Sequence, residues 1–406
     1  MNVLVIQPGF PAEIPYFTRG LRRRGARVLG IGDLPKEQLP AAAKEGLHAY
    51  LRVPGFWQPE IAIKALKSWQ LPLKLDRIEC LWEPGMELAA HLRETFGLSG
   101  MGREQTRLFR DKEVMKKALD AAGIRTPRHF CAQTENQCYE AARVIGYPLI
   151  VKPISGAGSA HTYKVDDLDG LREVLPRLRH QQEISIEEFI EGKEFTFDTI
   201  CADGKILYYN IAWYRPNVLI ARTDPWVSPQ TITLRDMDTP EAQKGLDLGR
   251  AVLRALDFRT GFTHMEWFLK PNGEAVFGEI AARPPGGRSV ELMNYGCDID
   301  VFEGWAEALL QKRFTQKVER KYNAAVIFKR AHGEGRICRI LGLEEVRRRF
   351  GAHIAVTNFL PVGAPRRNWK QTLISDGYLI LRHPDLNRTV EMLDFVAKEV
   401  QLYAAP

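Results

Sequence analysis

No apolar run in this chain of 406 residues approaches the length needed to cross a bilayer. The first ten residues carry no Lys or Arg, and the run Val3 to Ile6 stops at Gln7-Pro8-Gly9, so neither a signal peptide nor a membrane anchor is expected there. The six cysteines, at positions 80, 131, 138, 201, 297 and 338, form no CxxC pair and no zinc-type spacing. Free thiols in a reducing, cytoplasmic setting are the expectation. Internal repeats, low-complexity segments and a Ser/His/Asp or Cys/His nucleophile set are absent. The turn after the first apolar strand reads QPGFPAE rather than GxGxxG, which rejects a dehydrogenase-type dinucleotide fold. A net charge of +7 is basic, but the arginine clusters at 22–24 and 347–349 fall on expected helices without an interleaved aromatic platform. They read as solvated helix faces, and no nucleic-acid partner is expected.

What is present is an ordinary globular composition, 45% apolar and 26% charged, in a chain too long for one hydrophobic core. The pattern predicts α/β and α+β architecture in four units. Residues 1–105 read as an open parallel sheet: strands 2–6 and 27–31 flank a helix from Ile14 to Arg24, and strand Ile78 to Trp82 leads through Glu83-Pro84-Gly85 into helix Met86 to Phe96. Residues 106–183 hold a helix capped by Asp111, helix 134–145, strand 147–152, a loop at 153–160 and helix 167–179. Residues 184–312 open with strand 184–190, continue through strands 195–201 and 205–213, and close with a hairpin and helix 298–311. Residues 313–406 alternate strands and helices as an α+β cap.

The hairpin carries the sharpest signal. Asn272-Gly273 between apolar runs is a strong two-residue turn, and that turn sets Glu266 directly opposite Glu279. Opposed Cβ atoms in an antiparallel ladder lie roughly 5 Å apart, and like charges so placed repel by roughly 3 kcal/mol at an effective dielectric of about 20. A divalent cation reverses that sign. A carboxylate pair with few other oxygen ligands suits Mg²⁺ or Mn²⁺, completed by water and phosphate oxygens. The other reading is a solvated hairpin whose glutamates face water. A turn one residue longer would put the two on opposite faces. His264, two residues before Glu266, reads as a core histidine in preference to a partner of the pair.

Two further segments frame this pair. Lys152-Pro153 ends a strand and is followed by Ser155-Gly156-Ala157-Gly158-Ser159, small residues whose backbone N–H groups can approach phosphate closely and whose loop can act as a lid. The lysine precedes the glycines, an order that excludes a P-loop. Strand ISIEEFI (184–190) runs into Glu191-Gly192-Lys193-Glu194, either a surface edge or a hinge that reads an adenine.

Taken in order, Lys112, Lys152 with its Gly/Ser loop, the segment Glu187 to Glu194, Glu266 and Glu279 resemble the ATP-grasp superfamily over residues 1 to about 310. The resemblance is nearest to the carboxylate–amine ligase branch that includes L-amino-acid ligases. It implies an N-terminal parallel-sheet domain like that of biotin carboxylase, a two-lobed core that binds ATP and Mg²⁺, and ADP-forming amide synthesis through an acyl phosphate. Small-molecule acid and amine substrates follow from it, and homodimers are common in the family. Carried over by position, Lys112, Lys152, Ser155, Gly156, Gly158 and Ser159 would hold phosphates. Glu187 and Glu188 would lie in the hinge, backbone at Phe189 and Ile190 would hold adenine, and Glu194 would bind ribose. Glu266 and Glu279 would hold the metal, and Arg283 and Lys152 would steady the acyl phosphate. Arg288 and Glu83 are weaker candidates for gripping substrate. Ala281 stands where many members have a metal-binding Asn. An ATP-dependent carboxylase or phosphotransferase and a non-catalytic ATP-binding regulator remain as alternatives.

Overall fold

The computed structural model describes residues 1–69, 74–154, 162–372 and 374–406. The N-terminal unit is a parallel sheet in the order Ala49–Arg52, Arg27–Gly32, Asn2–Ile6, Arg77–Glu79. Its near-continuous apolar strands are buried, as a sheet covered on both faces requires. The turn Glu83–Gly85 lies beyond the carboxyl end of strand Arg77–Glu79, the side on which open α/β sheets bind ligands.

A small antiparallel sheet follows, in the order His129–Ala132, Ile184–Glu188, Leu149–Pro153, Tyr163–Val165. Its core joins Leu149, Val151 and Ile186 to helix Glu135–Ile145, whose start is fixed by a reciprocal Thr134/Gln137 capping box. The expected boundary at 184 is therefore displaced. Strand Ile184–Glu188 belongs to this lobe, hydrogen-bonded between two of its strands, and the chain leaves it only through residues 189–192.

The third sheet has eight strands in the order Ala275–Ala281, Gly261–Leu269, Lys193–Ala202, Lys205–Arg215, Gln230–Thr233, Asn323–Lys329, Gly377–His383, Ile354–Phe359. The last three come from the expected cap, which is thus continuous with the large lobe. The rest of the cap is a three-stranded sheet with helices Leu343–Phe350 and Leu386–Glu399, packed on Ile232, Ile327 and Leu379. Helix Lys112–Ala121, capped by the Asp111 side chain as expected, packs Met115 and Leu119 against Phe197 and Trp267 of the large sheet. The expected helix 298–311 is present as Val301–Gln311, and a further helix, Ser289–Cys297, precedes it and ends where Asp298 takes a left-handed backbone (φ 53).

Helix Pro240–Ala255 has no counterpart in the sequence reading. Gly245 and Gly249 lower its helical signal, yet each lets a ring reach the helix backbone: a Cβ there would lie 2.2 Å from Trp267 and 2.1 Å from Phe197. No described helix is long and apolar enough to cross a membrane.

Candidate active site

The Glu266–Glu279 pairing is present, by a different route from the one expected. The turn contains three residues, Pro271-Asn272-Gly273: the Lys270 N–H donates to the Glu274 carbonyl (2.9 Å), and Gly273 adopts φ 82. That longer turn shifts the ladder by one, pairing Trp267 with Phe277 and Phe268 with Val276. A bulge at Gly278 shifts it back, and Glu266 faces Glu279. Glycine is required at the bulge, because a Cβ would sit 2.8 Å from the Glu266 carbonyl oxygen.

On the other side of strand Gly261–Leu269, His264 pairs with Asp198, Glu266 with Thr196 and Phe268 with Glu194. Alternation along both strands puts His264, Glu266, Glu194 and Asp198 on one face. His264 is buried, as expected, but it is also a partner of the pair: its Nδ1 lies 2.6 Å from Asp198 Oδ1 and its Nε2 3.5 Å from Glu266 Oε1. Burial opposes its protonation, but hydrogen bonds to Asp198 and Glu266 outweigh that and lift the imidazole to about 9. Glu194 is raised to about 8 by burial and by Glu266, and its Oε2 accepts the Val218 N–H at 2.7 Å.

Lys112 Nζ sits 3.2 Å from Glu279 Oε1. Lys152 Nζ lies 2.9 Å from Glu187 Oε2, and Lys116 Nζ, which the sequence reading passed over, lies 2.5 Å from Glu187 Oε1. Burial disfavours the Lys152 ammonium, but Glu187 and Glu279 outweigh it and hold the pKa above its ordinary value. Burial likewise works against Glu279 and Glu187, and their lysines depress both below the usual carboxylate range. Burial draws Lys116 down to about 8.

Protein cations thus already offset part of the repulsion between Glu266 and Glu279. The donor set still fits Mg²⁺. Two opposed, half-buried carboxylates face a cleft, and among the described residues no cluster of three or more His, Cys, Asp or Glu forms a closed cage of the zinc or calcium kind. Ala281, opposite His264, supplies no side-chain oxygen.

One cleft of about 480 Å³ collects most of the expected residues. Its lining includes Lys112, Lys152, Glu187, Glu188, Phe189, Ile190, Glu194, Glu266, Glu279 and Arg283, with Glu83 from the parallel-sheet unit. Of the backbone at Phe189 and Ile190 expected to hold adenine, the Phe189 N–H donates to the Pro148 carbonyl (3.2 Å). The Glu188 carboxylate is bound by Arg125 and by the Arg128 N–H. Arg283 is held by Glu83: its Nε and Nη2 both lie 3.0 Å from Glu83 Oε2, while the other Glu83 oxygen binds Arg110. Arg288 is not among the cleft-lining residues; it bonds Glu291 Oε1 at 2.8 Å and lies over the Tyr378 ring. Ser155, Gly156, Gly158 and Ser159 fall outside the described residues.

Comparison with known proteins fits this arrangement. Residues 109–214 match the ATP-grasp domain family. An L-arginine-specific L-amino acid ligase of Bacillus subtilis is 28% identical over 235 residues, 56% of this chain and 56% of that protein. The chain thus spans little more than half the length of that relative. Among solved structures, an L-amino acid ligase from Bacillus licheniformis superposes with a TM-score of 0.78 at 21% identity, covering 100% of this chain and 99% of the other. The N5-carboxyaminoimidazole synthetase of Staphylococcus aureus, complexed with ADP, gives 0.74 at 16% identity over 98% and 97%. The chain carries an ATP-grasp domain and has the ATP-grasp fold.

Proposed function

We propose that this protein is an ADP-forming carboxylate–amine ligase that joins an amino acid or other small carboxylic acid to an amine. The supporting observation is the convergence on one cleft of Lys112, Lys152, the Glu266–Glu279 pair and Arg283, contributed by both ATP-grasp lobes and braced by Glu83 from the N-terminal unit. The relatives named as L-amino acid ligases support the same reading.

In this reaction a substrate carboxylate oxygen attacks the γ-phosphorus of ATP and ADP departs. The amine nitrogen then attacks the acyl carbon, phosphate leaves, and the nitrogen loses a proton. Lys112 and Lys152 neutralise phosphate charge, and the Arg283 guanidinium offers a planar donor fork to the acyl phosphate. Glu266 and Glu279 would hold Mg²⁺, which supplies further neutralisation of the triphosphate. Apolar Ile150, Phe189 and Ile190 line the cleft and suit a planar base, with Glu194 beside them for the ribose hydroxyls. Positioning and charge neutralisation carry the acceleration, which agrees with the lack of a nucleophilic side-chain set.

Glu279→Gln removes one metal-binding charge and should lower amine-dependent ADP release by at least about a thousandfold; near-normal turnover would refute the assignment. Hydroxylamine in place of the amine should yield the hydroxamate of the organic acid. ADP release without hydroxamate would point to carboxylation or phosphotransfer instead.

A further inference from the structure

The cleft continues beyond the residues used above, to Arg222 on helix Val218–Thr223 and to Phe328, Arg330, Trp369 and Thr372 of the C-terminal region. Arg330 is fixed in place: its Nη1 and Nη2 donate to the carbonyls of Asp224 (2.7 Å) and Ala221 (2.6 Å), and its guanidinium stacks 4.1 Å over the Trp369 ring. Its Nε is buried without a hydrogen-bond partner. Among the described residues, the Arg222 side chain has no hydrogen-bond or ion-pair partner. The nearby carboxylates are hydrogen-bonded elsewhere, Asp224 to the Trp226 N–H and Asp376 to the N–H groups of Ala331 and Arg367, so that they act on Arg330 through space without pairing with it. Arg222 and Arg330 line the same cleft, and burial together with the neighbouring Arg222 pulls Arg330 down to about 10 against the opposing pull of Asp224 and Asp376.

Two half-buried guanidiniums that share a cleft wall repel each other, and an incoming anion removes that penalty. For Arg330 the triphosphate is not that anion. Arg330 follows strand Asn323–Lys329, four strands along the sheet from the strand of Glu266. At about 4.8 Å per strand that is roughly 19 Å along the sheet, beyond the reach of an arginine side chain.

We infer that Arg222 and Arg330, with Arg330 braced on Trp369, form a subsite for a second negative charge on one of the two substrates, so that the ligase takes an acidic amino acid or comparable dicarboxylate. The inference rests on the ligase reading for the reaction, but the subsite is testable by binding alone.

The full-length protein is titrated calorimetrically with L-glutamate, L-aspartate, their amides L-glutamine and L-asparagine, and ATP. Acid and amide are nearly isosteric and differ by one charge. The wild type should bind at least one acid more than tenfold tighter than its amide, Arg222→Gln should erase that ratio, and Arg222→Lys should restore most of it. ATP affinity should change less than twofold in both variants. Equal affinity for acid and amide in the wild type, or equal losses for both in Arg222→Gln, overturns the subsite. A loss of ATP affinity with the acid preference intact assigns the arginines to the nucleotide and also overturns it. Acid-selective binding without ADP release in the presence of any amine leaves the subsite standing and refutes the ligase.

Discussion

The two ends of the cleft handle buried charge in opposite ways. At the hairpin end, Lys112, Lys116, Lys152 and His264 face Glu279, Glu187, Glu266 and Asp198, four cations against four carboxylates within ion-pair distance. At the cap end, Arg222 and Arg330 line the cleft without an ion pair to a carboxylate: the Arg330 guanidinium donates to backbone carbonyls, and Asp224 and Asp376 act on it only through space. A balanced network holds its members in fixed geometry before any ligand arrives, as the proposed phosphoryl transfer requires. An unbalanced pair is instead stabilised by what it binds, and selects it by charge. In the proposed ligase, preparation for the reaction and discrimination among substrates would thus be separated along one sheet.

The largest test of the balanced end is to unbalance it. Glu187 lies between Lys116 and Lys152 and accepts the Ser185 hydroxyl at 2.7 Å. Lys116→Ala removes one of its two cations from a buried site and opens a void, for an expected loss of about 3 kcal/mol in urea unfolding. Lys116→Met keeps most of the volume and separates packing from charge. A loss below about 1 kcal/mol in both variants would show that the network is not the source of order at this end.

A smaller effect is expected from pH. The His264 imidazole rises from its ordinary 6.5 to about 9 in the folded protein, so the native state holds its proton more tightly than the unfolded chain does. The stability this contributes is complete below pH 6.5 and is lost as pH rises through 9, a span of up to about 3 kcal/mol for a shift of this size. Glu194, raised to about 8 by burial, loses stability in the same direction but from a lower starting pH, near 4.5. In metal-free protein His264→Gln should make the decline of stability between pH 6.5 and 9 shallower, leaving the Glu194 contribution that ends near 8. An unchanged slope would mean that the Asp198–His264–Glu266 contacts do not hold the proton.

How much of this was legible in the sequence differs between the same two ends. Side-chain alternation in one hairpin, a local property of the chain, set Glu266 opposite Glu279, whereas only the resemblance to the ATP-grasp superfamily brought Lys112, Lys152 and Glu187 to the same site. The hairpin shows how narrow that success was. A turn one residue too long is undone by a bulge one residue deep, and the signal for it, an isolated Gly278 inside an apolar strand, stood in plain view. Lys116 was missed because lysines at i and i+4 on a helix ordinarily form a solvated face, and only the small lobe docking over this helix buries it. The membership of strand Ile184–Glu188 and the continuity of the cap with the large sheet depend on pairings between distant segments, which no local pattern encodes. Arg222 and Arg330, 108 positions apart, line one cleft for the same reason.

The smallest effect should have the opposite sign. Removing a member of the balanced network destabilises, whereas removing an uncompensated, half-buried cation relieves repulsion. Without ligand, Arg222→Gln should therefore leave stability unchanged or raise it by up to about 0.5 kcal/mol. With an acidic amino acid at a hundred times its dissociation constant, the wild type should gain about 2.7 kcal/mol and the variant little of it, so that the order of the two proteins reverses. Destabilisation of the ligand-free variant by more than about 1 kcal/mol would assign Arg222 to the scaffold, and the contrast between the two ends would fail.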